Sequence, residues 1–176
     1  TLAPRRSADF EAAAAVGDYA RAVVAGEIVA NRYVRLACER HLADLETGAE
    51  RGLRFAEERA GRAIRFFGFL RLAEGPFEGR PFELRPWQAF IVGSLFGWYT
   101  RDADGEWVRR FRNAYVETGK GSGKTPLAAG IGLFGMVGDD EGAAEIYCLD
   151  PATRVLAHDL AWRPVGELRI GDELVA

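Results

Sequence analysis

Glu117-Thr118-Gly119-Lys120-Gly121-Ser122-Gly123-Lys124-Thr125-Pro126 separates an arginine-rich segment from a long apolar run. Upstream, Asp104-Gly105 is a hairpin turn signal, and the spacing after it predicts a strand near Trp107–Val116. Downstream, residues Lys124 to about Val137 are apolar on every side and rich in glycine. That pattern predicts a helix buried against a sheet. Ala143–Tyr147 reads as a short strand. Strand, loop, helix and strand in that order make a βαβ unit, so the expected fold class is α/β.

The loop has the chemistry of a phosphate cradle. Between a strand and a helix N-terminus, backbone N–H groups converge on an anion and the helix dipole reinforces them. Gly119, Gly121 and Gly123 allow close backbone approach, Lys124 would reach the β- and γ-phosphates, and Thr125 would hold Mg²⁺. The expected ligands are therefore ATP and Mg²⁺. The motif departs from its consensus at the first position, where Thr118 replaces glycine. A plain glycine-rich turn containing Gly-Lys-Thr is the competing reading, and the flanking strand and apolar helix argue against it. Of the 23 basic residues only Lys120 and Lys124 are lysines, both in this loop. A chain that uses arginine for general charge has kept the compact ammonium at the loop. Asp139, Asp140 and Glu141 resemble an acidic Mg²⁺ motif but follow the helix instead of ending a strand, so they read as a solvated turn.

The first 72 residues read as helical. Ser7 is the expected cap of a helix to Ala25, and Asn31 of a second in which Val34, Cys38, Leu42 and Leu45 recur at helical spacing before Gly48. His41 lies near that stripe and reads as structural. A third helix is expected over Phe55–Leu72, with Ala60, Ile64 and Phe67 inward. After breaks at Gly75-Pro76 and Gly79-Arg80-Pro81, Pro86 starts a helix over Trp87–Trp98. Among 176 residues 48% are apolar, enough for a core, and the net charge of −3 excludes a generally basic field for nucleic acid. Cys38 and Cys148 are two isolated cysteines, which points to a reducing compartment. No apolar run is long enough for a membrane span. Thr1 in place of methionine points to a fragment or a processed chain.

Pro81-Phe82-Glu83-Leu84-Arg85-Pro86-Trp87-Gln88, then Phe96-Gly97-Trp98, the arginine-rich strand and the loop itself resemble the large terminase subunit of tailed phages. Val34-Arg35-Leu36-Ala37-Cys38-Glu39-Arg40-His41-Leu42 is also similar to that family, and the resemblance covers approximately residues 17–147. It implies an N-terminal packaging ATPase coupled to a C-terminal nuclease, whose carboxylates this chain lacks. It also implies that Trp87 and Gln88 lie at the adenine, an amide matching the base edge, and that Lys120 senses phosphate. Without the family, Trp87 reads equally well as a core aromatic. Arg109, Arg110 and Arg112 read as a solvated strand face in preference to a DNA track.

From Cys148 the character changes. Cys148-Leu149-Asp150-Pro151-Ala152-Thr153-Arg154-Val155-Leu156 and Trp162-Arg163-Pro164-Val165-Gly166-Glu167-Leu168-Arg169-Ile170-Gly171-Asp172 resemble the start of an intein, a self-excising Hint domain. The resemblance implies that the Cys148 sulfur attacks the carbonyl of Tyr147 and converts that amide to a thioester. The Thr-x-x-His block and the terminal His and Asn of the family are absent, and His158 sits in an expected hairpin turn.

Three segments are thus expected: a helical N-terminal region over 1–72, the first part of a P-loop ATPase over 73–147, and a β-rich Hint start over 148–176. Either the sequence is truncated, or it is half of a split intein whose partner chain supplies the rest of both domains. A truncated P-loop ATPase with an unrelated β tail, or an autoprocessing Hint module of another type, are the alternatives. After splicing, the resemblance implies phage DNA, the portal and the small terminase subunit as partners, an oligomeric motor, no membrane, and the cytoplasm of the bacterial host.

Overall fold

The computed structural model describes residues 5–72, 77–139, 154–156 and 161–164. The chain divides into two compact units, Thr1–Gly142 and Ala143–Ala176.

The first unit contains helices α1 (Arg5–Ala25), α2 (Arg32–Thr47), α3 (Glu57–Phe67), α4 (Pro86–Gly97) and α5 (Lys124–Val137). Strands β1 (Leu53–Phe55), β2 (Trp98–Arg101) and β3 (Trp107–Arg109) form one antiparallel sheet in the order β1-β2-β3. Capping chemistry sets several of these bounds. Asn31 Oδ1 accepts from Val34 N at 3.0 Å to start α2. Pro86 opens α4, where Arg85 N donates to Gln88 Oε1 at 2.9 Å. Asp102 accepts from Asp104 N and Glu106 N and forms the β2–β3 turn, with Gly105 at φ +82°.

α4 is apolar on every side because it serves two cores. Phe90 joins Val16, Tyr19, Ala20, Val23 and Cys38 beneath α1 and α2. Val92 and Phe96 join Ala63, Phe67, Phe82, Leu127 and Phe134 beneath α3 and α5. Close approach around it depends on missing side chains. A Cβ on Gly93 would come within 2.3 Å of Val16, and one on Gly61 within 1.8 Å of the Asp9 carbonyl oxygen.

Several expectations are corrected. Ser7 lies inside α1, which starts at Arg5, so it is not the cap. Leu45 is exposed, while His41 and Asp44 face inward beside Cys38, so the buried stripe of α2 is turned from the apolar pattern. The third helix is shorter at both ends, because Phe55 belongs to β1 and pairs with Trp98. β3 stops at Arg109 instead of running to Val116. Its partner β2 offers only Tyr99, Thr100 and Arg101, and beyond Arg110 N donating to Trp98 O the ladder has no further rungs. Among the described residues, α5 buries Leu127, Gly130 and Phe134 in the cluster that holds Phe67, Phe82 and Phe96. Leu133, Met136 and Val137 are exposed among the described residues. The sheet seen is antiparallel, and the second strand of the expected βαβ unit, Ala143–Tyr147, lies outside the described residues.

In the second unit Arg154–Leu156 (β4) pairs antiparallel with Trp162–Pro164 (β5), with Val155 opposite Arg163. Among the described residues no helix is long and apolar enough to cross a membrane.

Candidate nucleotide site

The glycine loop leads directly into α5, as its sequence requires. Gly121 and Gly123 have φ of +81° and +78°, a left-handed backbone that only glycine adopts freely, and Gly123 is the N-cap of α5. The loop is closed by side chains. Thr118 Oγ1 and Ser122 Oγ hydrogen-bond across it, and Lys124 Nζ donates to the Thr118 carbonyl at 3.0 Å. The departure from consensus at Thr118 therefore has a structural use: its hydroxyl ties the two ends of the loop together. Lys120, Lys124 and Thr125 are exposed at the mouth. An exposed ammonium on a neutral carbonyl is easily released to a more strongly charged phosphate. With both left-handed glycines at a helix N-terminus, these residues fit a nucleotide's phosphates, and the free Thr125 side chain fits a magnesium ligand.

Gln88 is 2% exposed and buttresses the loop. Its Oε1 is held by Arg85 N and its Nε2 points at Ser122 O, 3.5 Å away, so both ends of the amide are occupied. Trp87 is half-buried, packs on both cores, and lines a cavity of about 560 Å³. Thr118 and Ser122 stand at one side of that cavity, and Tyr19, Phe90 and Ser94 form other parts of its wall. Its volume suits a mononucleotide-sized ligand. Sequence reading missed Ser94, whose Oγ is buried without a hydrogen-bond partner among the described residues.

The segment leading into the loop is clamped to the helical region. Asp44 is buried, with its side chain 3% exposed, and receives both Arg51 and Arg110. Burial raises the Asp44 carboxyl pKa, but hydrogen bonds from Arg110 and Arg51 outweigh it and hold the group below the usual range. Arg110 also lies over the Trp98 and Phe111 rings, and Arg40 lies 4.9 Å from the Phe111 centroid. Two guanidiniums thus lie over the Phe111 ring just ahead of the loop. The expected solvated face of Arg109, Arg110 and Arg112 is thus corrected: Arg112 is exposed, but Arg109 and Arg110 are tied to carboxylates. Arg109 Nε is 3.1 Å from Asp139, whose side chain is 6% exposed, so Asp139 is not part of a solvated turn either. The Arg109 guanidinium compensates the charge of that buried carboxylate. Asp140 and Glu141 lie outside the described residues, as do Tyr147, Cys148 and His158.

His41 is structural, as expected. It is 3% exposed, and burial pushes its pKa down to about 4. Cys38 is fully buried and free, and burial raises its thiol to about 11, so it is no nucleophile at neutral pH. No group of three or more His, Cys, Asp or Glu side chains that could hold a metal ion occurs among the described residues.

The family model of the terminase large subunit ATPase domain matches residues 86–160. Residues 86–160 are thus similar to the ATPase domain of a terminase large subunit. The match starts at the helix-opening Pro86, takes in the whole glycine loop and α5, and ends past Cys148. No curated protein and no solved structure matches the chain.

Proposed function

We propose that the chain is the nucleotide-binding part of an ATP-driven phage DNA-packaging motor. Its phosphate site is Gly119–Thr125, and Lys124 is the residue that grips the β- and γ-phosphates. The carrying observation is the loop itself, with two left-handed glycines at the start of α5 and the Lys124 ammonium parked on the Thr118 carbonyl. Thr125 is the magnesium ligand, Lys120 the second phosphate contact, and Trp87 an apolar wall for the base. Bound Mg²⁺ supplies charge neutralisation on the phosphates, while the chain's own residues orient them. In the absence of nucleotide Gln88 holds the loop shape; its donor amide turns to the base only if its contact with Ser122 O is given up. Binding of a fluorescent ATP analogue to the whole chain tests this reading. Lys124→Ala should weaken binding about 10- to 100-fold, the size of a hydrogen bond to a charged group. Unchanged affinity would remove the assignment.

The intein reading of Cys148–Ala176 belongs with this proposal. It is favoured by the Cys148…Gly171-Asp172 pattern and by the antiparallel Arg154–Leu156 and Trp162–Pro164 pair. In the first step the Cys148 thiolate adds to the Tyr147 carbonyl, the C–N bond breaks, and the freed amine takes a proton, leaving a thioester. The remaining Hint fold and ATPase, continuous with this sequence or on a separate chain, would complete splicing in the bacterial host. Mixing with that chain and weighing the products decides the point. Ligation that needs Cys148 supports splicing, whereas no ligation, or equal ligation from Cys148→Ala, leaves a P-loop ATPase with an unrelated β tail.

A further inference from the structure

Among the described residues one amide side chain lines the cavity beside the phosphate loop, and it is not Gln88. Gln88 is 2% exposed, its amide oxygen accepting from Arg85 N and its nitrogen donating to Ser122 O. The amide on the cavity wall belongs to Asn113. Asn113 is exposed, and among the described residues its side chain has no hydrogen-bond partner. Its donors and its acceptor are therefore all free for a ligand.

The cavity suits a flat ring. Trp87, Ile91 and Leu95 recur four residues apart, so they form one apolar face of α4 along the wall. Thr118 and Ser122 stand where the phosphates would lie, and Asn113 precedes Thr118 by five residues. Five residues of backbone reach at most about 17 Å, enough to span a nucleotide from its β-phosphate to the edge of its base. The other polar groups of the wall fit a base edge less well. The Ser94 hydroxyl is buried. Glu117 adjoins the loop, where phosphate would repel it, and receives the Tyr115 hydroxyl at 3.3 Å. Arg40 lies over the Phe111 ring and can only donate.

We infer, resting on the phosphate-loop reading of Gly119–Thr125, that Asn113 selects adenine over guanine. Its amide oxygen accepts from the exocyclic N6 of the base, and its nitrogen donates to N7. Guanine presents two acceptors on that edge, O6 and N7, so the amide oxygen would face a carbonyl. Gln88 keeps its place as the support of the loop and takes no part in reading the base.

Competition against a ribose-labelled ATP analogue on the whole chain tests the site, with ATP, GTP, 7-deaza-ATP and inorganic tripolyphosphate as unlabelled ligands. Asn113→Ala should weaken ATP about tenfold and leave GTP and tripolyphosphate unchanged, which removes the preference for ATP. In 7-deaza-ATP a C–H replaces N7. It should bind the wild-type chain about fivefold more weakly than ATP, and bind Asn113→Ala as well as ATP does. Gln88→Ala should weaken ATP and tripolyphosphate alike, because it acts on the loop. Unchanged ATP affinity in Asn113→Ala would overturn the inference, as would equal weakening of ATP and tripolyphosphate in that variant. So would a 7-deaza effect that persists without Asn113. A loss confined to ATP in Gln88→Ala would return the base to Gln88. Tripolyphosphate binding with no preference for ATP over GTP in the wild-type chain overturns the role of Asn113 and leaves the phosphate loop in place. Binding of neither ATP nor tripolyphosphate would remove the phosphate loop, and Asn113 with it.

Discussion

The indole Nε1 of Trp98 donates a hydrogen bond of 3.0 Å to Nδ1 of His41. Indole can only donate, so Nδ1 must be an acceptor and the imidazole proton must sit on Nε2. That Nε2 is buried with no partner among the described residues, and the ring stands edge-on to Phe55, Phe90 and Trp98. Protonating Nδ1 would set two N–H groups against each other in an aromatic cage.

Acid should therefore loosen the fold through His41. The His41 pKa is lowered to about 4 in the folded chain against 6.5 without the fold, so the unfolded chain takes up the proton first. The stabilisation is complete above about pH 6.5 and is lost as pH falls towards 4, amounting to ~3 kcal/mol at most. Thermal unfolding across that window should show the decline, and His41→Asn, whose amide oxygen can accept from Trp98, should flatten it. Asp44 adds a second loss at lower pH, since its carboxyl is held below the usual range and must be protonated to break its arginine pairs.

Removing the Asp44 carboxylate should cost more than removing either arginine. Asp44→Ala strands Arg110, whose side chain is only 19% exposed, together with the more solvated Arg51. We expect about 2–3 kcal/mol in chemical denaturation, most of it from the buried guanidinium left without a partner. Nucleotide affinity should fall as well, because Arg110 and Phe111 set the course of the chain into the loop.

Two glycine substitutions separate packing from propensity. Gly61→Ala would drive a methyl into the Asp9 carbonyl between α1 and α3, and should destabilise by ~3 kcal/mol or more. At Gly135, in α5, an added Cβ meets nothing within 4 Å. Gly135→Ala should therefore stabilise by about 1 kcal/mol, through helix propensity alone. Denaturation midpoints of the two variants check both signs.

Gly123→Ala should uncouple the loop from its support. Its φ of +78° strains any other residue by about 1–2 kcal/mol, and the new Cβ would lie 3.4 Å from Gln88 Nε2. ATP-analogue affinity should drop, and the melting temperature should fall by roughly 2–8 °C, the size of that strain.

What the sequence disclosed was local chemistry. The Asn31 cap, the Pro86 start, the Asp104-Gly105 turn and the helix from Lys124 depend on residues within one turn of each other, and each appears where its residues predict. β1 was illegible, because three residues cannot show a period of two and its partner strand begins 43 residues beyond Phe55. The length of β3 is hidden for the same reason, since a ladder ends where its neighbour ends. At the site, the glycines and Lys124 could be read from spacing, but the clamp could not. Nothing near Arg110 reveals that its carboxylate is Asp44, and nothing near Arg109 reveals Asp139 as a buried partner.

The Arg110–Asp44 contact spans 66 residues, and it has a consequence for synthesis. As the chain leaves the ribosome, α1, α2 and α3 can assemble first, but Asp44 stays without its inner guanidinium until Arg110 has emerged. The phosphate loop follows within ten residues of that arginine. The clamp and the loop are thus completed almost together, so the emerging chain gains its grip on nucleotide only after its helical half is locked.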